Sequence, residues 1–110
     1  MKHDNTRIYR TALDLVSLSK RVMDGLPGGY GFLADQLRRA ACSVPLNFSE
    51  GYGKGTLREQ RRFFRIARAS AYEVAAILDV ALRFCVINPP LHAEGKDLCD
   101  HLAAMLTRFR

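Results

Sequence analysis

The sequence predicts an all-α protein, an up-down-up-down antiparallel four-helix bundle in a single domain spanning residues 1–110. Two observations carry that expectation. Apolar residues recur at steps of three and four along almost the whole chain, and no strand-like alternation of any length appears. The pattern breaks at "GLPGG" (25–29), "GYGKGT" (51–56) and "INPP" (87–90), which leaves four segments joined by short connections.

The first helix is expected over 6–24, with Ile8, Ala12, Leu15, Val16, Ser19, Val22 and Met23 on one stripe. Asp4, Asn5 and Thr6 stand before it and can cap it. The second, 30–52, turns Leu33, Leu37, Ala40, Val44, Asn47, Phe48 and Gly51 inward. Pro45 lies inside it, removes one backbone hydrogen bond and frees the carbonyl of Ala41. Ser43 and Asn47 flank the proline at helical spacing and can heal the defect. In the turn that follows, Gly51, Gly53 and Gly55 are expected to supply positive φ angles.

Thr56 followed by Glu59 reads as a capping box opening the third helix, 57–86. Its seam is Phe63, Ala67, Ser70, Val74, Ile77, Ala81 and Cys85, close to a heptad repeat. Asn88 is a cap and Pro89 a first-turn residue for the fourth helix, 90–109. That helix buries Leu91, Leu98, Leu102, Met105, Leu106 and Phe109, with Gly95 a weakening residue. Arg39 and Glu73 come level on the second and third helices and are expected to form an ion pair.

An apolar fraction of 48% with 25% charged residues belongs to an ordinary soluble globular protein and excludes disorder. A net charge of +6 favours anionic partners, nucleic acid first. Cys42, Cys85 and Cys99 form no CxxC or zinc-ligand pattern and read as buried, reduced thiols. The polar N-terminal stretch is no secretory signal, and no run approaches the ~20 apolar residues of a membrane span. A cytoplasmic protein without membrane association is expected.

Catalytic chemistry finds little support. "GYGKGT" lacks the Ser or Thr that must follow the lysine of a phosphate-binding loop, and a helix rather than a strand precedes it. Glu50 and Glu59 face each other across the turn, where they could act as an acid/base pair or simply cap and pair with Lys54 or Arg58. A di-iron bundle would need Glu-x-x-His motifs, and His3, His92 and His101 follow none. Asp97 and His101 share a helical face without a nucleophile. The expectation is a non-enzymatic protein with no metal and no cofactor.

The residues that are not core are more informative. Arg58, Arg61, Arg62, Arg65, Arg68 and Arg83 fall within about a third of the wheel of the third helix, with Tyr72 among them. Lys54 extends this basic face into the turn, and Arg38 and Arg39 lie nearby. Arginine grips phosphate with a planar fork and stacks on bases. Like charges at these spacings repel, so the stripe calls for an anion or for carboxylates of another subunit. Phosphate binding and a solvated or subunit-facing role both remain open at this point.

The stretch "QLRRAACSVPLNFSEGYGKGTLREQRRFFRIARASAYE" resembles the central signature of four-helix-bundle proteins encoded by intervening sequences within bacterial 23S ribosomal RNA genes. The matching residues are Arg39, Ala40, Ser43, Pro45, Asn47, Glu50, Gly51, Lys54, Glu59, Phe63, Ser70 and Glu73. The chain departs from the pattern with Ala69 in place of the usual Gly, and with Phe48-Ser49 in place of Ile-Ala. The resemblance implies the same bundle, a homo-oligomer (a pentameric ring) and no established enzymatic activity. It also implies kinship with an accessory bundle of diversity-generating retroelements that binds nucleic acid and a reverse transcriptase. The ribosomal label describes where the genes lie.

Overall fold

The computed structural model describes residues 3–108 as four α-helices: α1 (His3–Asp24), α2 (Gly31–Tyr52), α3 (Leu57–Arg83) and α4 (Pro89–Thr107). Each packs against its neighbours in the order α1–α2–α3–α4, and α4 closes the ring on α1. The bundle measures 45 × 22 × 18 Å. Its core is a column of fully buried side chains, among them Leu15, Leu18, Leu37, Val44, Phe48, Val74, Leu78 and Leu102.

Three of the four helix starts have a local explanation or a correction. Thr56 Oγ1 accepts from the Glu59 backbone N–H (3.2 Å), and Asn88 Oδ1 accepts from that of Leu91 (2.8 Å), with Pro89 at the first helical position. Only half of the expected capping box forms, because the Glu59 carboxylate turns to Arg62 instead (2.8 Å). On α1 the expected cap is absent: the helix already runs through Asp4, Asn5 and Thr6. Ile8 and Asn5 of this first part of the helix are both buried.

The third helix ends at Arg83, three residues before the expected 86. Cys85 takes a left-handed conformation (φ 59°). Its N–H reaches the Leu82 carbonyl, and the Val86 N–H reaches that of Ala81, each at 3.0 Å. Those two bonds make a Schellman cap, a geometry that glycine usually occupies. The seam therefore stops at Ala81, and Cys85 is exposed rather than core; Cys42 is half-buried and only Cys99 is buried.

Ala67, Ser70, Val74, Ile77 and Ala81 of α3 are buried as expected, and other core positions shift. On α3, Phe64 rather than Phe63 is buried, together with Ala71 and Leu78; the row Phe64, Ala67, Ala71, Val74, Leu78 and Ala81 has a regular heptad spacing. Leu18 joins the core of α1, where Val16 and Met23 are half-buried. On α4, Leu91 and Leu98 are half-buried, Cys99 and Ala103 are buried, and Phe109 lies outside the described residues.

Gly51 and Gly95 have a packing role, and positive φ among the described glycines occurs at Gly29 (94°). A Cβ on Gly51 would lie 2.8 Å from Phe63 Cβ and 2.9 Å from Phe64 Cε1, so this residue lets α2 and α3 approach closely. Gly53 is the C-cap of α2 at φ −82°, which any residue can adopt. Gly95 admits Leu78 and Leu18 from the facing helices, which offsets its poor helix propensity.

Candidate nucleic-acid interface

The α2–α3 turn is closed by local bonds. The Gln60 side-chain amide donates to the Lys54 carbonyl (2.9 Å), and Lys54 Nζ pairs with Glu50 at 3.3 Å, as the spacing predicts. Beneath the turn, Phe48 stacks on Phe64 with ring centroids 5.2 Å apart. The signature residues around the proline form one network. Asn47 Nδ2 donates to the Ser43 carbonyl (2.9 Å) and hydroxyl (2.8 Å), and the Ser70 hydroxyl of α3 donates to that of Ser43 (2.7 Å). Helix α2 runs unbroken through the buried Pro45. The polar bridge thus ties the helix that carries the proline to the helix that carries the arginines.

The register of α3 against α4 decides what surrounds those arginines. Arg68 Nη1 donates to Thr107 Oγ1 (3.2 Å), and Asp79 is bonded by Lys96 (2.8 Å) and His92 (2.8 Å). Thr107 ends α4. The eleven residues of α3 before Arg68, about 16 Å of helix, therefore extend past the last turn of α4. Arg58, Arg61 and Arg65 sit on this overhang, exposed and without an ion-pair partner among the described residues.

The basic face divides into rows. Arg58, Arg61, Arg65, Arg68 and Tyr72 alternate steps of three and four, which places them along one edge of α3 on the α4 side. Tyr72 closes that row with 58% of its surface exposed. Arg62 belongs elsewhere: its guanidinium lies 4.4 Å from the Phe63 ring centroid, and its Nε bonds Glu59. That bond holds the Glu59 carboxyl below its usual pKa and raises that of Arg62. Lys54 stacks on the same ring (5.2 Å) and shares its charge with Glu50. Arg83 lies fifteen residues beyond Arg68, at the far end of α3.

The two arginines of α2 stand apart from the row. Arg38 pairs with Asp35 (2.9 Å). Arg39 and Glu73 line one open cleft between α2 and α3, of about 560 Å³, with Phe32, Gln36, Ala76 and Val80. They do not form the expected ion pair, since no contact within 4 Å joins them. Their side chains leave the α2–α3 seam on its solvent side, where neither burial nor a hydrogen bond draws them together.

The Asp79–His92–Lys96 cluster joins α3 to α4 and has no signature in the sequence. It is visible only once α3 and α4 are set in register, because its members lie 13 and 17 residues apart. The bonds from Lys96, then His92, hold the Asp79 carboxyl below its usual range. Asp97 and His101 do approach, at 3.6 Å on the surface of α4. Among the described residues no group of three His, Cys, Asp or Glu side chains could hold a metal ion. No helix there is long and apolar enough to cross a membrane.

Comparison with solved structures finds the same fold in a protein of unknown function from the S23 ribosomal protein family of Bacteroides thetaiotaomicron. The TM-score is 0.85 at 14% identity, over 92% of this chain and 95% of that one. No match is found among curated proteins. The family described as 23S rRNA-intervening sequence protein matches residues 4–108, a span that includes all four helices and the whole Ser43–Glu73 signature. On that match, the chain belongs to the 23S rRNA-intervening sequence protein family.

Proposed function

We propose that the protein is a non-enzymatic nucleic-acid-binding bundle that holds RNA or DNA along the Arg58–Arg61–Arg65–Arg68–Tyr72 edge of α3. The observation that carries this reading is the exposure of Arg58, Arg61 and Arg65 on a helical overhang, with no ion-pair partner among the described residues. A phosphate backbone laid there breaks no ion pair among the described residues and relieves the repulsion between neighbouring guanidiniums. The row from Arg58 to Tyr72 spans about 21 Å, room for several phosphates, and the exposed Tyr72 ring offers a base a stacking surface. Membership of a family described by 23S rRNA intervening sequences is compatible with an RNA ligand.

The test is binding of a short labelled RNA and a DNA of matching sequence across a salt series. Affinity should fall steeply with salt, and the Arg61→Glu/Arg65→Glu variant should reduce the slope by about two. At low salt its affinity should drop by at least about a hundredfold. Unchanged binding by that variant would remove the row as the site. Absence of binding at low salt would reassign the arginines to contacts with acidic protein surfaces.

A further inference from the structure

The two edges of α3 differ in charge. Arg58, Arg61, Arg65, Arg68 and Tyr72 follow one edge, and Glu59, Ile66 and Glu73, one heptad apart, follow the other. Glu59 is bonded to Arg62, and Glu73 has no ion-pair partner among the described residues. Tyr72 is 58% exposed and meets no other ring among the described residues, whereas Tyr30, Phe32, Phe48, Phe64 and Phe84 all do. Beyond Tyr72 the basic edge continues as Ala75 and Asp79, and the Asp79 carboxylate already holds Lys96 and His92. The row of cations therefore ends on one open aromatic face, with an acid behind it.

We propose that the ligand of this edge is single-stranded nucleic acid, one strand lying along Arg58–Arg68 with an unpaired base stacked on Tyr72. The inference rests on the arginine edge being a nucleic-acid site and adds which form it takes. The edge offers a single line of guanidiniums, about 15 Å from Arg58 to Arg68, and one line suits one backbone. A duplex that admitted α3 to its major groove would bring a phosphate strand to each side of the helix. The second strand would then face Glu59 and Glu73 and be repelled. Nor can a duplex use the ring. Its bases are stacked on one another and present only their edges in the grooves. An unpaired base has a free π-face for the tyrosine. Phosphate is favoured as far as Arg68 and disfavoured toward Asp79, so the strand turns a base, and not its backbone, toward Tyr72.

An unstructured RNA of about twenty nucleotides, offered alone and annealed to its complement, tests this by fluorescence anisotropy at low salt. Charge alone predicts tighter binding of the duplex, which carries a second phosphate strand at higher density. The single strand should instead bind at least about tenfold tighter. Tyr72→Ala should weaken single-strand binding by about five- to a hundredfold, the range for one base stacked on an aromatic ring, and so remove most of the preference. Tyr72→Phe should keep it. Unchanged melting curves exclude misfolding as the cause. Tyr72→Trp places an indole in a chain that has no tryptophan, and its emission should be quenched by the single strand and not by the duplex. Duplex binding as tight as that of the single strand overturns the proposal. So does a Tyr72→Ala variant that binds the single strand like wild type or loses affinity for both forms alike. If Arg61→Glu/Arg65→Glu still abolishes binding in those cases, the arginine edge stands and its preference for a single strand falls. A wild-type chain that binds neither form removes the nucleic-acid reading itself, and this one with it.

Discussion

At the end of the bundle formed by the α2–α3 turn, Phe48 and Phe64 are stacked and buried, while Arg58, Arg61 and Arg65 have no ion-pair partner among the described residues. Lys54 and Arg62 beside them are paired with Glu50 and Glu59; at the opposite end the balance shifts to paired cations. Lys20 pairs with Asp24, Arg21 with Glu94, Arg38 with Asp35 and Lys96 with Asp79, whereas Phe32 and Phe84 stand half exposed in an aromatic group with Tyr30. Arg39 and Arg83 lie outside these pairs, but singly and not in a row. The net charge of +6 says nothing of this division. What separates the ends is which groups already have partners. An anion meets ready cations at the first end and would have to displace carboxylates at the second.

The largest difference should appear in the two aromatic groups. Phe48→Ala empties a fully buried site between α2 and α3 and should cost about 3–5 kcal/mol. Phe84→Ala, with 49% of the residue already in water, should cost about 1 kcal/mol or less. Thermal unfolding of both variants makes the comparison. Similar melting temperatures would mean that the arginine overhang has no rigid base, and the argument for a preformed anion site would fail with it.

Much of this contrast was legible in the sequence because it rests on short-range rules. Helical period, the breakers at 25–29, 51–56 and 87–90, and the caps Thr56 and Asn88 act within a turn or two, and they gave the bundle. Packing at close quarters was less accessible. Phe63 and Phe64 satisfy the period almost equally, and the choice between them follows from how α2 lies at Gly51. The glycine itself suggested a positive φ, the commoner need, when its function is to leave room for α3. The arginine stripe was visible as one face. Its division into a free row and a paired Arg62 depends on where α4 stops, a tertiary fact, and on the local contacts of Arg62 with Glu59 and Phe63.

A smaller effect separates shape from binding at the first end. Asn47→Ala removes the bonds to the Ser43 carbonyl and hydroxyl and should destabilise the chain by about 1 kcal/mol. For a domain of this size that is a fall in melting temperature of about 4–8 °C. RNA affinity of the folded variant should be unchanged within about twofold, since Asn47 is on α2 and the arginine row faces the α4 side. An undiminished melting temperature would remove the polar bridge as the reason for this signature residue. Lost affinity at full stability would move Asn47 into the binding site.

The smallest effects are the most diagnostic, because the two ends should respond with opposite signs. The Asp79 carboxyl is held below its usual pKa by Lys96 and then His92. A depressed carboxylate pKa contributes stability that is present above the unfolded-state value, near 4, and is lost as pH falls through the lower folded value. With the side chain 52% exposed, solvent screening limits this to less than about 1 kcal/mol. Asp79→Asn should therefore lower the melting temperature slightly at neutral pH, and the deficit should close as the pH is taken below about 4. Arg61→Gln should raise the melting temperature, stabilising the chain by about 0.2–0.5 kcal/mol for each repulsive contact relieved with Arg58 and Arg65. That gain should disappear in high salt and be independent of pH through the carboxylate range. Shifts of the same sign at both ends would mean that the arginine row is already neutralised within the chain, and no vacancy for an anion would remain.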